Sequence, residues 1–426
     1  MAANTSPDQG KRLPWAGKLV SLEHIEDELT FLWHLAADNM RISQNMNVRT
    51  SVLNLVICTL DIASAHKASA LLRHLSNTHI ARVTLVILDT MENLPSEVRT
   101  WVTLRSFPVI SDVMRHHFEQ VTILLSGAAI QSASTILQPM LKPDLPVYLW
   151  WAKDLPSDKS IFCDLIGISN RVIVDSSTFS FPEERIRTLS SLLQESPTCR
   201  LSDFNWNRIT VWRELVAQFC DVAEYRPYMV NIEKIEIEHA VAPSSKSSST
   251  TQKELSDPIR ALALAAWLKS RLGWQLSEGK ARTCHDAGAG TYCWHMTKRV
   301  PSSALVASLA ADEAENEANR GIDIIIRPRV RADLHLGTIC LIRLTSNLDG
   351  KQAVFSIERG DDGKHVITSV DIPDSPLSQR AVHVAAIHKE IELLNDELEI
   401  MGHDHLYEET LHETFGLLSS GEKDEY

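Results

Sequence analysis

The sequence predicts an α/β half followed by an α+β half. The first reads as a Rossmann-like domain with a parallel sheet and no glycine phosphate loop. The second reads as an antiparallel sheet with long helices. Three observations carry this. Short, continuously apolar runs alternate with helical patterns up to about residue 195, as in parallel sheets buried on both faces. Asp349-Gly350 and Asp362-Gly363 punctuate later apolar runs, a hairpin signal. Between the halves lies a Ser/Thr-rich stretch at 242–256 without aliphatic anchors, which reads as a linker.

Taken in order, residues 1–16 are polar and read as a flexible tail, followed by an α/β domain over 17–241. Ser21 opens an amphipathic helix with Leu22, Ile25, Leu29 and Leu32 at three- and four-residue spacing. Strands are expected at Ser51–Thr59, Arg82–Asp89, Gln120–Ser126, Val147–Trp151 and Arg171–Asp175. Helices are expected at Ala63–Ser76, Ala128–Leu141, Pro182–Glu195 and Ile209–Val222, with a strand at Met229–Ile237. The second domain, 257–426, opens at Asp257-Pro258, a cap with proline behind it, and its helix stops at Gly273. Strands at Ile322–Arg327, Thr338–Leu344, Gln352–Glu358 and Lys364–Ser369 follow, then helices over Leu377–Glu399 and Leu406–Leu418.

The chain has 426 residues and a formal charge of −13. That balance disfavours nucleic acid, whose phosphates need a basic face, and anionic membranes alike. It suits a partner with a basic patch. No apolar run approaches the ~20 residues needed to span a bilayer, and the first residues hold no apolar signal core. Seven scattered cysteines do not read as a disulfide scaffold. A cytoplasmic location is the expectation.

Common chemistry is missing from the motifs. A dinucleotide site needs glycines after a strand so that backbone N–H groups reach the phosphates. Between Gly17 and Gly273 the only glycines are Gly127 and Gly167. Neither a Walker loop, a nucleophile elbow nor an H-E-x-x-H helix is present. No catalytic residue, cofactor or metal site is assigned.

Four constellations remain. Asp89, Ser126, Lys153, Asp154 and Asp175 sit at expected strand ends, where a sugar phosphate would bind, or else they supply ordinary loop polarity. Cys284 and Cys293 bracket a glycine-containing loop; zinc with His285 and His295, a labile disulfide, and plain thiols are the alternatives. Cys58, Cys220 and Cys340 read as core residues. In the expected C-terminal helix, Val384, Ile387, Ile391, Leu394, Leu398 and Met401 form an apolar stripe, a partner seam or an inward face. Trp150, Trp151, Trp206, Arg208, Trp212 and Arg213 form an aromatic–arginine group of the composition found at interface hot spots. The other reading of the tryptophans is core.

These last segments carry a resemblance. The pair Trp150-Trp151 with Pro156 and the run D-x-x-W-x-R-x-T-x-W-R at Asp203–Arg213 resemble the glucose-6-phosphate dehydrogenase assembly proteins of the OpcA family. So do R-V-T-L-V-I at Arg82–Ile87, A-W-L-x-x-R-L-G-W at the end of the Asp257–Gly273 helix, and E-x-E-I-M-G-H-D-x-x-Y-E-E-T-L at Glu397–Leu411. The resemblance covers roughly residues 17–415 and is similar to the cyanobacterial branch. It implies a non-catalytic assembly factor and allosteric activator that binds glucose-6-phosphate dehydrogenase and supports the oxidative pentose phosphate pathway. It also implies thioredoxin-linked redox control, for which Cys284 and Cys293 are the candidate pair, since no cysteine follows Cys340.

Overall fold

The computed structural model describes residues 13–43, 51–75, 81–91, 94–108, 115–156, 159–195, 198–243, 257–277, 290–298, 321–384, 389–400 and 402–421. The chain forms two compact units, each discontinuous in sequence. The first comprises Met1–Ser180, Ser191–Phe204 and Lys389–His403; the second comprises Phe181–Ser190, Asn205–His388 and Asp404–Tyr426. Helices are α1 (Ile25–Ser43), α2 (Ile62–Leu75), α3 (Ala133–Leu137), α4 (Lys159–Ile166), α5 (Pro182–Glu195), α6 (Phe204–Arg208), α7 (Thr210–Asp221), α8 (Arg226–Val230), α9 (Ile259–Leu272), α10 (Glu390–Glu399) and α11 (His405–Gly421).

The first unit is built on strands β1 (Lys18–Val20), β2 (Leu53–Thr59), β3 (Ala81–Asp89), β4 (Glu97–Pro108), β5 (Arg115–Ser126), β6 (Val147–Trp151), β7 (Arg171–Val174) and β8 (Arg200–Asp203). They lie in the order β1-β4-β5-β3-β2-β6-β7-β8. The run β5-β3-β2-β6-β7-β8 is parallel throughout. Counted along the chain among themselves, these strands have the spatial order 3-2-1-4-5-6, that of dinucleotide-binding sheets. Every residue of β2 is buried, which is why its sequence is apolar without alternation. The sheet is nevertheless mixed, because β4 pairs antiparallel with β5 and β1 with β4. Strand β4 lies in the chain between the parallel neighbours β3 and β5.

One face of this sheet packs into a single apolar cluster. Leu55, Ile57, Leu72, Leu85, Ile87 and Trp150 share it with Ile391, Leu393, Leu394 and Leu398 of α10. A helix from the far end of the chain thus completes the first hydrophobic core.

The second unit holds β9 (Ile232–Val241), β10 (Trp274–Leu276), β11 (Tyr292–Lys298), β12 (Ile322–Val330), β13 (Ile339–Leu348), β14 (Lys351–Arg359), β15 (His365–Asp371) and β16 (Ser378–His383). Their order is β10-β11-β12-β9-β13-β14-β15-β16. All neighbours are antiparallel except β9 and β12. The β13–β14 hairpin turns at Asp349 (φ 52°) and Gly350 (φ 79°), the paired positive φ of a type I′ turn. Gly273 closes α9 with φ 67° and donates its N–H to the last helical carbonyls, as its position predicts. Helix α9 packs on α11 and on β9 and β12, while α7 lies against β14 and α8 against β13. On β9, Glu236 is held by Lys234 at 2.9 Å and by Arg327 and Arg343, both at 3.5 Å.

Several expectations are corrected. The units do not part at 242–256: β9, assigned to the first domain, is a central strand of the second sheet. Residues 244–256 and 1–12 lie outside the described residues. The long helix expected over Leu377–Glu399 is an exposed strand, β16, followed by the shorter α10. Of its apolar stripe, Ile387 and Met401 lie outside the described residues, and Ile391, Leu394 and Leu398 face the core. The helix expected at Ala128–Leu141 is broken into 3-10 turns around α3.

His239 sits fully buried in β9, between Pro328 and Ile339 of its neighbours. Neither ring nitrogen has a hydrogen-bond partner of good geometry. Burial pushes its pKa from 6.5 down to about 4, and the Ala240 backbone offsets only part of that. The fold therefore requires neutral imidazole. Above pH 6.5 the group is neutral in both states and costs nothing. As pH falls from 6.5 towards 4 the unfolded chain takes up the proton first, so stability is lost, by about 3 kcal/mol at pH 4. Urea midpoints of His239→Leu should depend less on pH across this window than those of the wild type. An equal dependence would show that His239 does not set it.

Candidate functional site

Ligands of a doubly wound sheet bind beyond the carboxyl ends of the strands, where the strand order reverses. Here that point lies between β2 and β6. Only Leu60 and Asp61, neither of them glycine, separate β2 from α2. The Asp61 carboxylate accepts from the Ser64 N–H at 2.7 Å and the Ser64 hydroxyl at 2.9 Å. Lys153, just past β6, reaches across to Oδ2, the oxygen that also accepts the Ser64 hydroxyl, at 2.5 Å. Partial burial alone would raise this carboxyl, but Lys153 and the Ser64 donors outweigh it and hold its pKa at about 2. An anion of the chain's own occupies the helix N-terminus, where a pyrophosphate would sit.

The other strand ends are capped in the same way. Asp154 accepts from the N–H groups of Leu155 (2.8 Å) and Ser180 (3.1 Å), and Asp175 accepts from that of Ser177 (3.1 Å). Asp203 accepts from the Ser176 N–H at 3.0 Å, and Asp89, more loosely, from that of Met91 at 3.4 Å. The Ser126 hydroxyl donates to the Pro95 carbonyl at 2.7 Å. Amides that would meet a phosphate meet aspartates instead.

The aromatic–arginine group is divided between the units. Trp150 and Trp151 belong to β6 in the first, where they are 2% and 1% exposed. Trp150 packs near Phe204, its ring 6.0 Å away, and Trp151 meets Phe162 edge-on at 5.0 Å. The Trp151 Nε1 donates to the Asp154 carbonyl at 2.9 Å.

Trp206, Arg208, Trp212 and Arg213 belong to the second unit, around α6 and α7. Trp206 is 3% exposed, and its Nε1 donates to Asp404 Oδ2 at 2.7 Å. The Arg213 guanidinium lies 3.4 Å above its ring, with the Tyr407 ring 5.7 Å away. Burial pushes the Arg213 pKa down to about 10, opposed by Asp404 and Glu214. Arg213 also donates to the Thr210 hydroxyl at 2.9 Å. Arg208 and Arg260 both donate to Asn205 Oδ1, at 2.9 and 2.7 Å. Trp212 is buried, with the Arg359 guanidinium 5.6 Å from its ring centre.

The four indoles are therefore core, not contact surface, and of the six residues only the half-buried Arg208 and Arg213 present atoms to solvent. Their large area and directed donors, which suggested a hot spot, serve internal packing.

Cys293 lies on β11 and is disulfide-bonded; Cys284 lies outside the described residues. Cys58 and Cys340 are buried, and burial pushes the Cys340 thiol up to about 11. Cys220, expected in the core, is exposed, because it sits to the side of the buried stripe Trp212, Leu215, Val216 and Phe219. Among the described residues no group of three or more His, Cys, Asp or Glu side chains is arranged to hold a metal. No described helix is long and apolar enough to cross a membrane.

Residue types alone do not reveal the partners of these groups. Asp404 serves twice, accepting the Trp206 indole N–H and, through its other oxygen, the Tyr407 N–H at 3.0 Å that begins α11. In the first unit Arg171, 1% exposed, donates to Ser202 Oγ at 2.5 Å and to the Gly402 carbonyl, with Glu397 at 3.6 Å. Glu397, Gly402 and Asp404 all lie in the closing E-x-E-I-M-G-H-D run, so that motif was the available signal.

Residues 73–191 match the family described as glucose-6-phosphate dehydrogenase subunit N-terminal domain, and residues 199–411 match its C-terminal domain. Among curated proteins, the putative OxPP cycle protein OpcA of Synechococcus elongatus is 31% identical over 157 residues, 37% of this chain and 32% of that protein. Its counterpart in Nostoc punctiforme is also 31% identical over 157 residues, covering 30% of that protein. The matched region thus spans about a third of the length of these relatives. Among solved structures, a levoglucosan dehydrogenase in complex with NADH shares 10% identity, with a TM-score of 0.42 over 88% of this chain and 94% of that one. A 3-ketoreductase from Actinomadura kijaniata shares 9%, with a TM-score of 0.44 over 86% of this chain and 96% of that one.

Proposed function

The chain belongs to the OpcA family of glucose-6-phosphate dehydrogenase subunits, and from that membership we propose that it is a non-catalytic assembly factor and allosteric activator of that enzyme. The match of residues 73–191 and 199–411 to the two domains of such a subunit carries this reading. The glycine-free turn after β2, where Asp61 caps the helix N-terminus and its carboxylate is paired with Lys153, supports the non-catalytic part.

The mechanism is a population shift. The chain binds the assembled, substrate-competent dehydrogenase better than the alternative, and mass action raises that state. About 1.4 kcal/mol of differential binding changes the ratio tenfold. The formal charge of −13 suits a basic enzyme surface, so association should slow as salt is raised. The buried tryptophans act by fixing the shape of Asp203–Arg213, and Arg208 and Arg213 are the members of the group that a partner can touch. The disulfide at Cys293 is the bond on which a thioredoxin-type dithiol would act. The setting of this activity is the cytoplasm and the oxidative pentose phosphate pathway.

The test is dehydrogenase activity against glucose 6-phosphate concentration, with and without this chain, with mass by light scattering on the same samples. A lower apparent KM or higher rate together with a heavier complex is expected. Unchanged kinetics and mass under both reducing and oxidising conditions would overturn the proposal.

A further inference from the structure

At the outer edge of the second sheet, two histidines face each other across neighbouring strands. His365 on β15 is the register partner of His383 on β16. The adjacent pair is the hydrogen-bonded one, with the Val384 N–H on the Lys364 carbonyl at 2.8 Å. His365 and His383 therefore occupy a non-hydrogen-bonded pair, where cross-strand side chains come closest. Their ring centroids are 5.1 Å apart, with planes at 71°. Two imidazoles on one tetrahedral ion, each at about 2.1 Å from it, place their ring centres about 5 Å apart. The observed 5.1 Å matches that ring spacing.

A second observation points the same way. His365 Nδ1 is hydrogen-bonded to Asp362 Oδ2. The other oxygen of Asp362 is fixed in turn by the N–H groups of Lys364 at 2.9 Å and His365 at 3.1 Å. With the proton held on Nδ1, the lone pair is left on Nε2. A carboxylate behind a histidine in this way fixes the orientation of the ring, as it does behind metal-bound histidines. Both histidines are exposed, so an ion needs no opening of the fold to reach them.

We propose that His365 and His383 form a two-imidazole site for a borderline divalent transition ion of the zinc, nickel or copper class, with water completing the coordination and Asp362 orienting His365. Neutral imidazole suits these ions, whereas magnesium and calcium prefer oxygen donors. Bridging two strands, the ion would fasten the edge strand β16 to β15 and stabilise the bound state by mass action. The site is independent of any dehydrogenase partner.

The experiment is calorimetric titration of the untagged full chain with Ni²⁺, alongside His365→Gln, His383→Gln and the double variant. The wild type should bind one equivalent that all three variants lack, and Ni²⁺ should raise the melting temperature of the wild type only. Asp362→Asn should weaken the same equivalent by roughly ten- to a hundredfold. Two results would overturn the proposal: no Ni²⁺ bound by the wild type, or the same stoichiometry and affinity in the double variant. All these side chains are exposed, so the variants should fold, and circular dichroism verifies it.

Discussion

Trp206→Ala should lower the stability of the chain by about 3–5 kcal/mol, the range for removing a fully packed aromatic ring. Three losses coincide in that change. The ring leaves a void beside Tyr407, Arg213 loses the face it stacks on, and Asp404 loses the indole N–H. Arg213, held largely out of water, is then left with less to offset its burial. Trp206→Phe separates the contributions, since it keeps an aromatic ring and most of the buried area while removing the donor and part of the ring volume. Its cost should be about 1.5–3 kcal/mol, as for a hydrogen bond to a charged acceptor. Urea unfolding followed by circular dichroism measures both. If Trp206→Ala unfolded at the wild-type midpoint, the indole would not be a core element.

Arg171→Met should be as damaging, by about 3–5 kcal/mol, because it removes the cation from a buried pair and leaves the acid behind. Glu397 is 2% exposed and faces Arg171 across 3.6 Å. The same guanidinium holds the Gly402 carbonyl and Ser202, so the chain after α10 would lose its anchor to the sheet. The double variant Arg171→Met, Glu397→Gln should recover a substantial part of the loss, since no buried carboxylate then remains. A double variant no better than the single one would place the cost in the Gly402 and Ser202 contacts.

What the sequence shows and what it hides divide along physical lines. The parallel strands were legible because burial on both faces forces an unbroken apolar run, as in Leu53–Thr59 and Ala81–Asp89. The turns at Asp349-Gly350 and Gly273 were legible because positive φ selects those residues. Strand β16 was not, since Ser378–His383 is an exposed edge with almost no inward face, and the spacing of Val384, Ile391 and Leu394 suggested a helix across it. The unit boundary was misplaced because a Ser/Thr-rich stretch marks a surface connection, not where cores divide. The aromatic–arginine group was found by composition, yet composition cannot say which way an indole points. That depended on Asp404, Tyr407 and Phe204, distant in sequence from the tryptophans they meet.

The interleaving of the two units bears on how the chain is made. It passes from one unit to the other five times, at 180/181, 190/191, 204/205, 388/389 and 403/404. The first sheet is complete in sequence at Asp203, but its core awaits Ile391, Leu394 and Leu398. From residue 204 to residue 389 the ribosome must add 185 residues. At typical elongation speeds that takes roughly ten to forty seconds. Throughout that interval the nascent first sheet carries an uncovered apolar patch, so newly synthesised chain should be a client of holding chaperones, and truncations before α10 should accumulate as aggregates.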